Sequence, residues 1–371
     1  MKKLLTLLIV LSTMVYGAVV PSSFYESSRG LGMGGAYTAV VDDFSMLMYN
    51  PGNLSKNQPL HICLLKLEIE INQKTFDFAS WLMANSSKLS GDFTSWSAAD
   101  LNELISAGIF LNVGDNFSVT GINTPIGNFG VGAFVKATAN VSVSEEILDI
   151  KAHMAAKIDV TVPFSYGTQL DLPMINDIAN NVLGGGKFGI GATVKVIQRF
   201  SFVEDKSILS MASFDPQSII NKLTNPQTGY GFDIALNYNL PSWASTFSFV
   251  GRDLFSTLSE PTVGAGADTI SSNWVFAYAL QPNLIPGIPL TIAVDINDLF
   301  GSTTMMKKIS LGAEVNLIGI AVVRGGFYQG WASFGCSLFG FLDYANYGVE
   351  RGLYAGNLEE RYHRISITLG L

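Results

Sequence analysis

The sequence predicts an all-β protein, a closed antiparallel transmembrane β-barrel of about fourteen strands with an N-terminal segment tucked into its lumen. Three observations predict it. The composition is that of a membrane protein, yet no spanning helix can be drawn. Polar and apolar residues alternate over runs long enough to cross a bilayer. A glycine-rich stretch precedes the first strand and cannot join the wall.

The chain has 371 residues, 48% of them hydrophobic and only 14% charged, where soluble domains average about 25% charged. Mean hydropathy is +0.32. Beyond the N-terminus no apolar run approaches the ~18 residues of a helical span; "LIGIAVV" (317–323) is among the longest. A closed barrel is the other way to satisfy every backbone N–H and C=O inside lipid. A soluble β-sandwich or propeller is the competing architecture, and its surface would need more charge. Cys63 and Cys336 make no disulfide framework and fall on the apolar phase of predicted strands. The net charge of −8 and the lack of a basic run argue against nucleic acid.

The first element is a leader. Lys2 and Lys3 precede an apolar run from Leu4 to Val15, and Val15-Tyr16-Gly17 offers a cleavage site, so 1–17 reads as a signal peptide. No Cys follows to carry a lipid. Next, "GLGMGGAYTAVVDD" (30–43) holds a literal G-x-G-x-x-G at Gly30, Gly32 and Gly35. A dinucleotide fingerprint needs a buried strand before it and an acid about 20 residues on. "VVPSSFYESSR" (19–29) is no such strand, and Asp42 and Asp43 come too early. That reading fails.

The wall follows. In "FGVGAFVKATANVSVS" (129–144) the odd positions from Phe129 to Val143 are all apolar, and the even ones are small or polar except Phe134. "CLLKLEIEIN" (63–72), "GYGFDIALNYNL" (229–240) and "RISITLGL" (364–371) repeat the period of two. Several runs reach the ~9–11 residues of a tilted spanning strand. Candidate strands lie near 61–72, 107–113, 117–123, 129–143, 154–166, 187–199, 229–239, 245–251, 273–280, 290–297, 308–317, 319–328, 331–342 and 361–371. "VGDNF" (113–117) reads as a hairpin turn, and helical patterns sit in the connections at 98–108 and 215–223. Long and short connections do not alternate cleanly on this reading. The chain closes on an amphipathic strand, as assembly-competent outer-membrane proteins do, although with Leu371 in place of their usual aromatic residue.

The barrel therefore spans 59–371, and 18–58 lies ahead of it. Gly30, Gly32, Gly34 and Gly35, then "YNPGNLS" (49–55), make that segment compact enough to fold back as a plug. "RGLGMGGAYTAVVDDFSMLMYNPGNLS" resembles the N-terminal hatch of FadL-type outer-membrane long-chain fatty-acid transporters and their relatives. The matching positions are Gly32, Gly34, Gly35, Ala36, Asp43, Tyr49, Asn50, Pro51 and Leu54, with Gly52 where the group usually has Ala. "VDINDLF" (294–300), "LGAEVNL" (311–317), "VRGGF" (323–327), "FLDYA" (341–345) and the final strand are similar to PorV-like and TraF-like branches. The stretch 80–270 matches nothing recognisable.

The resemblance implies a bacterial outer-membrane barrel that moves a hydrophobic small molecule such as a fatty acid, gated by the hatch. Asn50, Pro51 and Gly52 carry over as hatch residues together with Gly32, Gly34 and Gly35. In PorV-like relatives the same barrel serves a secretion system, so export partners are the alternative. The bilayer is the other partner; no cofactor or metal is implied.

Lys66, Glu68, Glu70, Lys136, Lys195, Arg199, Asp233, Asp295, Glu314 and Arg324 fall on or near inward phases, where ion pairing is the ordinary expectation. Lys195, Arg199 and Arg324 are candidates to receive a substrate carboxylate. Leu101, Leu104, Ile105, Ile219 and Leu223 could form an outer apolar groove or pack their own loops. His61, His153 and His363 are scattered, with no H-E-x-x-H or G-x-S-x-G, so no enzyme is expected.

Overall fold

The structure is a computed structural model that describes residues 25–56, 59–85, 97, 100, 108–146, 149–171, 173–182, 185–207, 226–259, 270–317, 319–352 and 354–370. The signal peptide, the two predicted loop helices (but for Asp100 and Gly108) and the five apolar loop residues lie outside them.

Fourteen antiparallel strands close into one ring: β1 (His61–Asn72), β2 (Gly108–Thr124), β3 (Gly127–Glu146), β4 (Asp149–Gln169), β5 (Lys187–Ser207), β6 (Gln227–Leu240), β7 (Ser245–Leu258), β8 (Asn273–Leu280), β9 (Leu290–Ile296), β10 (Ile309–Leu317), β11 (Ala321–Tyr328), β12 (Trp331–Leu338), β13 (Leu342–Glu350) and β14 (Glu359–Gly370). Each strand pairs with its sequence neighbours, and β1 meets β14 in a register that sets Leu67 against Ile367 and Ile69 against Ile365. The described α-helices in the connections are Gln73–Ala84, opened by the Asn72 side chain accepting from Thr75 N–H at 2.8 Å, Pro173–Asn181 and the four-residue Met305–Lys308. Among the described residues no helix is long and apolar enough to cross a membrane.

The strand number agrees with the sequence reading through two offsetting differences. "VGDNF" is not a turn: β2 runs unbroken through it, paired with β3 from Gly108 to Thr124 apart from one bulge. The predicted strand 331–342 is instead β12 and the start of β13, separated by a tight turn. With both corrected, each end of the ring still carries connections of mixed length. The turns at 125–126, 241–244, 318–320 and 339–341 share one end with both termini of the wall and with the longer connections 170–186 and 281–289. The far end carries 73–107, 208–226, 259–272, 297–308 and 351–358, and also the two-residue links 147–148 and 329–330.

Burial is inverted relative to a soluble domain. Lys66, Glu68, Glu70 and Arg364 are buried, while Leu65, Leu67, Ile69, Ile365 and Ile367 on the alternate phase are exposed. Such a surface is stable only against acyl chains, since each Å² of apolar area left in water costs about 25 cal/mol. Cys63 departs from its expected phase. A bulge at Leu64 shifts the register, so Cys63 points inward and its thiol donates to the Asn116 side chain at 3.2 Å. Strand lengths are unequal: β3, β4 and β5 hold 20, 21 and 21 residues, whereas β8 to β12 hold between 7 and 9.

Candidate functional site

The lumen is crossed by residues 25–56. A short helix, Ser28–Gly32, packs on β11 to β14, and the 3-10 turn Pro51–Ser55 packs on β3 to β6 across the ring. Between them Met33, Tyr37, Met46, Leu47 and Leu54 form a buried apolar core with inward residues of the wall. Phe134, the one large apolar residue on the polar phase of β3, belongs to this core; its ring meets Tyr25 edge-on at 5.0 Å. The exception in the alternation is thus a contact with the segment.

At the first wall the contacts are backbone against backbone. Gly34 has φ +66°, and a Cβ there would strike the Leu311 carbonyl and the Phe327 main chain. Arg29 then spans segment and wall, donating to Glu314 at 2.8 and 2.7 Å and to Asp42 at 2.5 Å. Arg324 donates to the same Glu314 at 2.6 Å and to Asp343 at 3.1 Å.

At the opposite wall amides dominate. Asn50 Nδ2 donates to Thr38 O (2.9 Å), Asn237 Oδ1 (3.1 Å) and Ser248 Oγ (3.2 Å), and its Oδ1 accepts from Gly52 N–H at 3.0 Å. Asn237 in turn donates to Asn53 Oδ1 at 2.9 Å, and Asn53 to Val41 O at 2.8 Å. Pro51 and Gly52 lie directly on Gly191 of β5, where any Cβ would collide with their backbone. Pro51 lacks an N–H and fixes φ, which suits the first position of this turn.

Burial raises the hydroxyl pKa of Tyr25, Tyr37 and Tyr49, which stay neutral and hydrogen-bonded to Lys66 Nζ, Asp43 Oδ2 and Ser27 N–H respectively. Burial also pushes the Lys56 ammonium down to about 8, with Asp42 pulling the other way.

The three luminal cations singled out as carboxylate receivers each hold acids of the wall. Lys195 sits between Asp233, at 2.7 Å, and Asp253. Arg199 grips Asp159 through Nε at 2.6 Å and Nη2 at 3.2 Å. Arg324 holds Glu314 and Asp343 and borders a cavity of about 590 Å³ at the near end. Asp253 reaches Lys195 because it has φ +54° within a run of bulges between β6 and β7, which turns it inward beside Arg252. A period-of-two reading cannot see such a residue. Thr38 and Arg252 were missed as well: a lone Thr and Arg carry no spacing signal.

Two cavities of about 720 and 770 Å³ open at the far end, the second walled by Phe110, Tyr347 and Tyr362. Neither shares a lining residue with the near-end cavity; the segment lies between. On the outer wall an apolar groove of about 440 Å³ is lined by Tyr166, Ile190, Ile234, Leu236, Phe249 and Trp274. Its floor is Gly191 and Ala235, the residues that back Pro51 and Gly52 from the lumen side.

No protein family's sequence profile matches the chain, and no curated protein does. Solved structures do match in fold. The deltaS2 mutant of TodX, a monoaromatic hydrocarbon channel, is 12% identical with TM-score 0.58, covering 93% of this chain and 97% of that one. The toluene transporter TbuX of Ralstonia pickettii is 11% identical with TM-score 0.54, covering 94% and 98%. The toluene transporter TodX of Pseudomonas putida is 11% identical with TM-score 0.50, covering 93% and 97%. This chain has their fold, which is the fold that the resemblance to FadL-type transporters implies.

Proposed function

We propose that this chain is a FadL-type outer-membrane channel for hydrophobic small molecules, with residues 25–56 as its hatch. The observation that carries the reading is the separation of the near-end and far-end cavities by a segment docked on both walls. A lumen closed in this way blocks ions and water, as a barrel specialised for rare, greasy solutes requires. The fold of the toluene transporters supports the same class of cargo. The end that carries both termini of the wall then faces the periplasm, and the end with the two longest connections, 73–107 and 208–226, faces outward.

The path runs from the far-end cavities to the hatch, and the hatch has to shift for cargo to pass. The outer groove over Gly191 and Ala235 offers an apolar way out into lipid that avoids the charged near-end mouth. A fatty acid is one ligand of suitable character; Arg324, Arg29 and Lys66 all border the near-end cavity, and a path through the outer groove bypasses them.

The test is growth on oleate, and separately on toluene, of a bacterial host stripped of its own transporters for them. Expression of this chain is expected to restore growth on at least one. No rescue on either, together with a steady large ion conductance in planar bilayers, would overturn the proposal and leave an export role to be examined.

A further inference from the structure

We propose that Asp295 and Arg252 form a clamp on Thr38 that sets whether the lumen is closed. The inference rests on the reading of residues 25–56 as a movable hatch, and it assigns the wall residues that hold it shut.

Thr38 is fully buried, and each of its polar atoms is engaged from outside its own turn. Its N–H donates to Asp295 Oδ2 at 2.9 Å, beside that of Tyr37 at 3.2 Å. Its Oγ1 accepts from Arg252 Nη2 at 2.5 Å, and its carbonyl accepts from Asn50 at 2.9 Å. Arg252 also donates through Nε to the Tyr49 carbonyl at 2.9 Å. One residue therefore joins the glycine-rich stretch to the Asn-Pro turn, and two charged side chains from β7 and β9 hold that joint.

Asp295 is the telling member. It is 0% exposed, and both of its hydrogen bonds among the described residues go to the segment. Its Oδ1 has no hydrogen-bond partner. A carboxylate buried in a barrel wall is costly, and this one makes no described hydrogen bond within the wall to offset that cost. Within the wall it has the charge of Arg252, but both of its described hydrogen bonds exist only while the segment is in place. Such charge-assisted bonds to backbone N–H are of the strong class. Asp295 stands in "VDINDLF", and Thr38 follows the glycines of the hatch-like motif. The clamp supplies a physical reason for the two motifs to occur together.

The clamp is tested by planar-bilayer conductance of variants whose folding is checked by heat-modifiable gel mobility. Asp295→Ala removes both acceptors, and the time spent conducting should rise by about tenfold or more over wild type. Asp295→Asn keeps an oxygen able to accept from both N–H groups and should stay within about threefold of wild type. Thr38→Val should leak and Thr38→Ser should not. Amide exchange at Tyr37 and Thr38 should accelerate in parallel with conductance in Asp295→Ala.

A folded Asp295→Ala barrel as silent as wild type overturns the clamp. Where that variant does not assemble, a silent Thr38→Val overturns it instead. These outcomes are independent of cargo. A silent variant in a protein that rescues growth removes only the clamp, and a leaky variant in a protein that rescues nothing removes only the transport reading.

Discussion

The two walls that hold the N-terminal segment both meet its backbone closely, at Gly34 of the segment and at Gly191 of β5, and differ in the polar contacts that add to the fit. At β10 to β12 Gly34 leaves no room for a side chain at φ +66°, and the ion pair of Arg29 with Glu314 adds charge to that fit. At β4 to β7 Asn50, Asn53, Asn237 and Ser248 exchange amide and hydroxyl hydrogen bonds, which water or a ligand could replace. On the proposed hatch reading, the first wall would serve as the hinge and the second as the release. A segment that must stay attached while it moves needs one of each.

The largest expected effect breaks the hinge. Gly34→Val adds a β-branched side chain at φ +66° and a backbone collision, for a combined cost of ~3 kcal/mol or more. The variant should fail to form the heat-modifiable species, or unfold at clearly lower urea. Gly191→Ala probes steric fit on the release side. Its φ is not left-handed, so only the overlap with Pro51 and Gly52 counts, about 1–3 kcal/mol. The barrel should fold but show the 51–55 turn displaced, read as faster amide exchange there.

Asn50→Ala is milder. It strands the Gly52 N–H, Thr38 O and Asn237 Oδ1, costing roughly 1–3 kcal/mol, and should give transient openings in bilayers without loss of the barrel. A stability loss equal to that of Gly34→Val would erase the distinction between the walls.

The smallest effect is at Lys56, which follows the 51–55 turn and keeps part of its surface in solvent, where its charge is screened. Its folded pKa of about 8 lies below the ordinary 10.5, so the unfolded chain binds the proton more tightly. Stability should therefore rise with pH from about 8 toward 10.5. Lys56→Gln should raise the melting temperature slightly at pH 7, and the gain should vanish by about pH 10.5.

Much of this was legible in the residues. The alternation in 129–144 and 63–72 placed Lys66, Glu68, Glu70 and Lys136 on the inward phase, because period two is a direct image of the pleat. The division of β12 from β13 was hidden, since "GFLDYA" carries no Pro or Asn-Gly signal and the apolar rhythm runs on through the turn. "VGDNF" misled in the opposite sense: Gly114, Asp115 and Asn116 look like a turn, yet Gly114 and Asn116 simply face the lumen, Asn116 buried there. Asp295 is legible as an inward residue, but Thr38 and Arg252 carry no local pattern, and the meeting of the three, through contacts 214 and 257 residues apart in sequence, is fixed only by closure of the ring.

The unequal strands have a consequence for approach. At ~3.3 Å per residue and a tilt near 40°, β4 and β5 rise about 50 Å, whereas an eight-residue strand rises about 20 Å, less than the ~25 Å apolar band. The mouth is thus cut obliquely, like a scoop standing in the membrane with a tall back and a low lip. Amphiphiles gliding along the outer leaflet would meet the lip at β9 to β12 almost level with the headgroups, and the tall back would stop them from passing over. Capture would then be a search in two dimensions, along the membrane surface.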